Sequence, residues 1–260
     1  MTTSEKQTPE PSEVIRHIEG TRGLLFHLAD KLTKTPKDQW NVLIGDDSGG
    51  RLPVHFVRRV LRSDGRDFKT FFVTGSKVYR EANGVEPYQE YFTRIQEQLG
   101  GGSLRPLIVT ESVGSGATID FLTETIAPFC EQPVEVAAIA VEEAAKDKVD
   151  YAGGIGDEPI KEVGWAYESA RKMKFGRRLL AAALRLMPQN IKDPIKKRSK
   201  FRVQPPLPNL TVGIAPELGN TLPVASLMAE RDGVLARRAF EKMDELAEEY
   251  LLVKNNTSQG

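Results

Sequence analysis

Pro106-Leu-Ile-Val-Thr-Glu-Ser-Val-Gly-Ser-Gly-Ala-Thr118 is the stretch that decides the fold. Together with Leu104, its first residues form a short apolar run of the kind that fills the middle of a parallel sheet, which predicts a strand over 104–109. A turn from Thr110 to Gly116 should follow, and Thr118 to Phe129 then takes up helical spacing. The turn has the chemistry of an anion cradle. Gly114, Gly116 and Ala117 let backbone N–H groups approach closely, Ser115 and Thr118 add hydroxyl donors, and the helix presents its positive end. In an open parallel sheet, the ligand crevice lies outside the carboxyl ends of the strands. Glu111 stands one step before the cradle. A carboxylate there does not help to bind phosphate, so its useful partners are ribose hydroxyls or a metal ion.

Upstream, Trp40 to Ile44 reads as a buried strand running into the Gly-rich turn Gly45-Asp-Asp-Ser-Gly-Gly50. Leu52, Phe56, Val57, Val60 and Leu61 share one face of the helix that follows, while Arg58, Arg59 and Arg62 fall elsewhere. Phe68 to Thr74 predicts a second strand, Tyr88 to Leu99 a helix, and Val134 to Val141 a fourth strand. Repeated strand, loop and helix units imply right-handed crossovers and an α/β fold: an open, mainly parallel twisted sheet flanked by helices. Val14 to Leu32 predicts an N-terminal helix or pair, with Ser12 as its N-cap. Tyr151 to Gly156 reads as loop, Thr211 to Ile214 as a closing strand, and Ala225 to Val253 as a long closing helix interrupted near Gly233. The expected organisation is a disordered leader over 1–11 and a single domain over 12–260. Its core spans about 36–145 plus the strand near 211–214, and a largely helical extension is drawn from 12–35 and 150–255.

The 106–118 segment resembles the phosphoribosyl-diphosphate signature of the type I phosphoribosyltransferases. In that family an apolar strand leads to two acidic residues and a Ser/Thr-Gly-Gly/Ala-Thr turn. Leu107, Ile108, Val109, Glu111, Ser115, Gly116, Ala117 and Thr118 match, and Thr110 departs where the family usually has its first acid. The resemblance implies that Gly114, Ser115, Gly116, Ala117 and Thr118 hold the 5′-phosphate and that Glu111 holds the ribose. The turn after the first strand is similar to the family's pyrophosphate loop. There Ser48, Gly49, Gly50 and Arg51 would bind diphosphate, and Asp46 and Asp47, with Glu111, would orient a hydrated Mg2+. Ser76 to Gly84 occupies the place of the family's mobile flap, whose cations would be Lys77 and Arg80. The resemblance covers roughly Asn41 to Val141. It implies an enzyme that uses phosphoribosyl diphosphate and Mg2+ to place a phosphoribosyl group on a nitrogenous acceptor such as a nucleobase, through a dissociative transition state. Taken alone, either Gly-rich turn also has a purely steric reading, since such turns follow strands in every doubly wound protein.

The remaining patterns exclude other chemistries. The Gly-Ser-Gly of 114–116 lacks the third glycine of a dinucleotide fingerprint, and no Gly-Lys-Ser/Thr closes a Gly-rich loop. Gly45 to Gly49 has the wrong spacing for a nucleophile elbow. His17, His27 and His55 stand apart without metal-ligand spacing. Cys130 reads as a small packing residue, and Trp40 and Trp165 as anchors at element ends. The one cysteine permits no internal disulfide. With no apolar run near the roughly 20 residues of a membrane span, and no signal-peptide pattern at the N-terminus, a cytoplasmic location is expected.

The 260 residues carry 36 Lys/Arg and 36 Asp/Glu. That zero total hides a strong asymmetry. Arg171 to Arg202 holds twelve Lys/Arg against Asp193 alone, a local net of +11, leaving 24 bases against 35 acids elsewhere. Met173, Leu180, Ala183, Leu184 and Met187 fall on one half of a helical wheel and Arg171, Lys174, Arg178 and Arg185 on the other, before the basic run Lys196 to Lys200. The plainest reading is a basic face salt-bridged to the acidic stretches 142–162 and 241–249, for which a homodimer is one arrangement. The others are contact with nucleic acid or an anionic surface, and recognition of a phosphorylated acceptor. A different class of function follows from the same features: a non-catalytic sensor of phosphoribosyl diphosphate or a nucleotide, contacting nucleic acid through 171–202. Thr110 favours it.

Overall fold

A computed structural model of the chain describes residues 11–46, 50–73, 85–161, 163 and 223–257. Residues 1–10 of the expected leader, residues 47–49, the flap-like stretch with Lys77 and Arg80, Trp165, the basic segment 171–202 and the strand expected at 211–214 lie outside the described residues.

Two helices open the structure, α1 (Pro11–Gly20) and α2 (Arg22–Leu32). They are separated at Thr21, whose buried hydroxyl donates to the Ile18 carbonyl at 2.8 Å. Ser12 lies inside α1 and not before it, because the helix already includes Pro11, a residue suited to a first turn. The strands are β1 (Val42–Asp46), β2 (Lys69–Val73), β3 (Pro106–Val113), β4 (Glu135–Val141) and β5 (Tyr151–Ile155). They form one all-parallel sheet in the order β2-β1-β3-β4-β5. Helix α3 (Arg51–Ser63) connects β1 to β2, α4 (Glu86–Gln98) connects β2 to β3, and α5 (Ala117–Ile126) connects β3 to β4. The chain moves one way along the sheet from β1 to β2 and the other way from β2 onward. Right-handed crossovers therefore place α3 on one face and α4 and α5 on the other. Helix α2 joins α3 by packing over β4 and β5.

Three elements differ from the expectation. First, β3 runs four residues past Val109, so that Thr110, Glu111, Ser112 and Val113 are strand and the turn is confined to Gly114–Gly116. The cause is β4, which keeps pairing through Thr110↔Ala138, Ser112↔Ala140 and Val113↔Val141 after β1 has ended. Second, Tyr151-Ala-Gly-Gly-Ile155 is a strand and not a loop. Its glycines reflect crowding: a Cβ on Gly153 would lie 2.5 Å from the carbonyl oxygens of both Ile139 and Leu24, because α2 crosses at backbone contact. Third, the closing helix α6 (Pro223–Thr257) passes through Gly233 without interruption.

The core is continuous. Leu43, Ile44, Phe71, Leu107, Ile108, Ile139 and Val141 fill the sheet, Phe56, Val60 and Leu61 cover it from α3, and Met243, Leu246 and Tyr250 close it from α6. Residues 239–250 of α6 dock on α1, α2 and α3. Three acids along this segment pair with bases of α2 and α3: Asp244 with His55 at 3.0 Å, Glu248 with Arg59 at 2.7 Å, and Glu249 with Arg22. Within the described residues, these acids of the 241–249 stretch are thus engaged inside the domain. None of the described helices is long and apolar enough to cross a membrane.

Candidate functional site

The reversal of chain direction falls between β1 and β3, and at such a point two connections leave a sheet in opposite directions and open a crevice. Pairing of the two strands ends at Gly45↔Val109, so β3 overhangs β1. A cavity of about 120 Å³ occupies that step, lined by Asp46, Thr110, Ser112 and the run Val113–Ile119. The strand's overhang, invisible in a pattern of apolar residues, is what builds one wall of the site.

Gly116 shapes the turn. It has φ +75°, a left-handed conformation that glycine adopts without steric cost, and it is the N-cap of α5. The helix therefore starts at the cavity with its first amide groups directed at the turn. All five residues expected to hold a phosphate, Gly114 to Thr118, line the cavity. Ser115 is exposed, and its hydroxyl accepts from the Ala117 amide at 3.5 Å.

Strand alternation separates the two residues of the family's acidic pair. Thr110 and Ser112 line the cavity, whereas Glu111 is buried at 8% exposure on the alternate side of β3 and is not part of the lining. The position where this chain departs from the phosphoribosyltransferase pattern is thus the one that faces the cavity.

Of the first-strand turn, Asp46, Gly50 and Arg51 are described. Asp46 ends β1 at the cavity. Gly50 folds back so tightly that its amide donates to the Asp46 carbonyl, and a Cβ there would lie 2.5 Å from the Asp46 nitrogen and 2.7 Å from the Val109 oxygen. Its contribution is close approach, since its amide is engaged within the turn. Arg51 opens α3 with its guanidinium over the Phe72 ring, 5.0 Å from the centroid. Ser48, Gly49, Asp47, Lys77 and Arg80 lie outside the described residues. Among the described residues no group of three His, Cys, Asp or Glu is arranged to hold a metal ion.

Two charged residues at the rim carry no sequence signal. Lys148 ends a 3-10 turn (Glu143–Lys148) after β4 and brings its ammonium to Asp120 Oδ2 at 2.6 Å and to the Ser115 carbonyl at 3.1 Å. Glu142, the residue after β4, holds a carboxylate oxygen 3.2 Å from where a Gly114 Cβ would stand. Both belong to the polar stretch 142–150, and only the parallel sheet, which gathers the ends of its strands at one edge, brings them to the turn. Three of the other singled-out groups are structural. Cys130 is half-buried and its thiol is pushed up to about 11 by burial. Trp40 is buried with its indole on Glu135, and His55 pairs with Asp244 away from the cavity.

No family model matches this sequence, and no curated protein matches it. Several purine phosphoribosyltransferases are among the similar solved structures. The purine phosphoribosyltransferase of Pyrococcus horikoshii is 18% identical, with 53% of this chain and 83% of that chain covered and a TM-score of 0.35. The HGPRT-ase of Leishmania tarentolae, in complex with GMP, is 13% identical over 55% of this chain and 78% of that one, with a TM-score of 0.37. The hypoxanthine phosphoribosyltransferase of Trypanosoma cruzi is 14% identical over 53% and 78%, with a TM-score of 0.40.

Proposed function

We propose that this protein binds 5-phosphoribosyl diphosphate and transfers the phosphoribosyl group to a nitrogenous acceptor of nucleobase type, releasing diphosphate. The reading is carried by one coincidence: the turn Gly114–Thr118, with its glycine-permitted helix start, lines a cavity at the point where the sheet reverses direction. The amides of that turn and the hydroxyls of Ser115 and Thr118 take the 5′-phosphate, and Thr110 and Ser112 form the adjoining wall; Glu111, expected at the ribose hydroxyls, is buried on the alternate side of β3 and is given no contact with the ligand. Ser48, Gly49 and Arg51 are assigned to the diphosphate, with Lys77 and Arg80 as cations of a covering flap. In the transfer, the bond from the anomeric carbon to diphosphate breaks with its electron pair leaving on the diphosphate oxygen, and a nitrogen lone pair of the acceptor forms the new bond. The chain's part is to position the two reactants and to exclude water.

Among the described residues Asp46 is the carboxylate in the cavity lining, and a magnesium ion that keeps most of its water and takes substrate oxygens would fit beside it. Bound in this way, such an ion would neutralise charge on the departing diphosphate.

A second reading, a non-catalytic sensor that contacts nucleic acid through 171–202, is favoured by a specific observation: Thr110 presents a hydroxyl where a carboxylate would face the cavity. Calorimetric titration with ribose 5-phosphate and with phosphoribosyl diphosphate, with and without magnesium, followed by a diphosphate-release assay across the nucleobases, separates the two. Release with at least one base is expected for the transferase. Binding without release for any base selects the sensor, and no binding of either ligand removes both.

A further inference from the structure

The start of α5 carries an unfavourable group for an anion site. Asp120 lies in the first turn of the helix, where a carboxylate is attracted by the helix's positive end and competes with any phosphate drawn to the same end. Asp46 in the lining and Glu142 beside Gly114 add further negative charge to the rim. Lys148 answers the first of these. Its ammonium is 2.6 Å from Asp120 Oδ2, and it is held in place by the Ser115 carbonyl at 3.1 Å and by passage of its stem over Gly116. Absence of a side chain at residue 116 is what lets the stem pass, since a Cβ there would collide with it. About a third of the Lys148 side chain and nearly half of the Asp120 side chain are solvent-exposed, so the pair contributes little to stability. It lies beside the cradle without lining the cavity.

We propose that Lys148 is an electrostatic positioning residue: by neutralising Asp120 it leaves the start of α5 with a net attraction for a phosphate dianion. This rests on the reading of Gly114–Thr118 as a phosphate site. Lys148 acts through Asp120 and touches no substrate, which gives it a signature in a double-mutant cycle that neither a ligand contact nor a structural pin shares.

The experiment measures ribose 5-phosphate affinity of the full chain by calorimetry, with the thermal unfolding midpoint recorded for each variant. Lys148→Met should weaken binding about fivefold, the upper end of what an unmasked charge in a helix's exposed first turn is worth. Asp120→Asn alone should leave affinity unchanged or improve it. The double variant should return to within about twofold of the wild type, and Lys148→Arg should preserve binding. Wild-type affinity in Lys148→Met overturns the proposal while the phosphate site stands. Weakening of Asp120→Asn to the level of Lys148→Met makes the pair a structural pin, and a double variant as weak as Lys148→Met makes the lysine a direct ligand contact; either result overturns it. Failure of the wild type to bind ribose 5-phosphate removes the phosphate site itself and the proposal with it.

Discussion

Gly116 joins three requirements in one residue: a left-handed φ of +75°, an amide at the cavity and clearance for the Lys148 stem. A β-branched residue violates the first and third together. Gly116→Val is expected to abolish ribose 5-phosphate binding while the far-ultraviolet circular dichroism stays that of the wild type, because the turn is at the surface and the sheet behind it is intact. Retained affinity would show that the anion does not sit on this turn. Individual residues of the site were unevenly legible. The small residues of the turn announce themselves in sequence, since few purposes other than close backbone approach call for Gly, Ser, Gly and Ala in succession. Lys148 and Glu142 do not, because a lysine or glutamate in a polar loop reads as solvated surface until the fold shows what lies opposite.

At the level of elements, the strands with uninterrupted Val, Ile, Leu and Phe were readable, and so was the amphipathic face of α3. The strand β5 was not. The centre of its sequence, Tyr-Ala-Gly-Gly-Ile, lacks the branched side chains that mark a strand, because α2 lies against it at backbone contact and leaves room only for hydrogen at residue 153. Gly153→Ala should accordingly lower stability by about 2 kcal/mol or more, since both colliding atoms belong to backbone that cannot rotate aside. Chemical denaturation gives the value, and a change below about 0.5 kcal/mol would contradict the packing of α2 on β5. The overhang of β3 was equally hidden. Thr110 and Ser112 look like the beginning of a turn, and their place in the strand depends on pairing with β4, a contact that no local pattern records.

Over the whole molecule, the closing helix is tied to the first three helices by tertiary contacts, one of which includes a titratable histidine. His55 Nε2 donates to Asp244 Oδ1 at 3.0 Å, and the ring packs edge-on against Phe240 with 5.0 Å between centroids. Burial depresses its pKa, and Arg58 and Arg59 add to the depression, outweighing the pull of Asp244 in the opposite direction. The unfolded chain then binds the proton more readily than the folded one, so stability is complete above the ordinary histidine value near 6.5 and falls as the pH drops below it. The unfolding midpoint of the wild type should decline more steeply between about pH 7.5 and about pH 5.5 than that of His55→Gln, which keeps a hydrogen-bonding side chain without the titration. Parallel profiles would exclude His55 as the source.

Tyr250 lies within the last turns of the described chain, yet it is buried at 3% exposure, edge-on to Phe26, with its hydroxyl donating to Asp30 at 2.9 Å and 3.2 Å from Thr33. Chain ends ordinarily fray and exchange their amide protons first. Here the segment around Tyr250 is clasped by α2, so the amides of 243–250 should exchange with deuterium as slowly as those of the central strands, and the late helix and the sheet should open as a single cooperative unit.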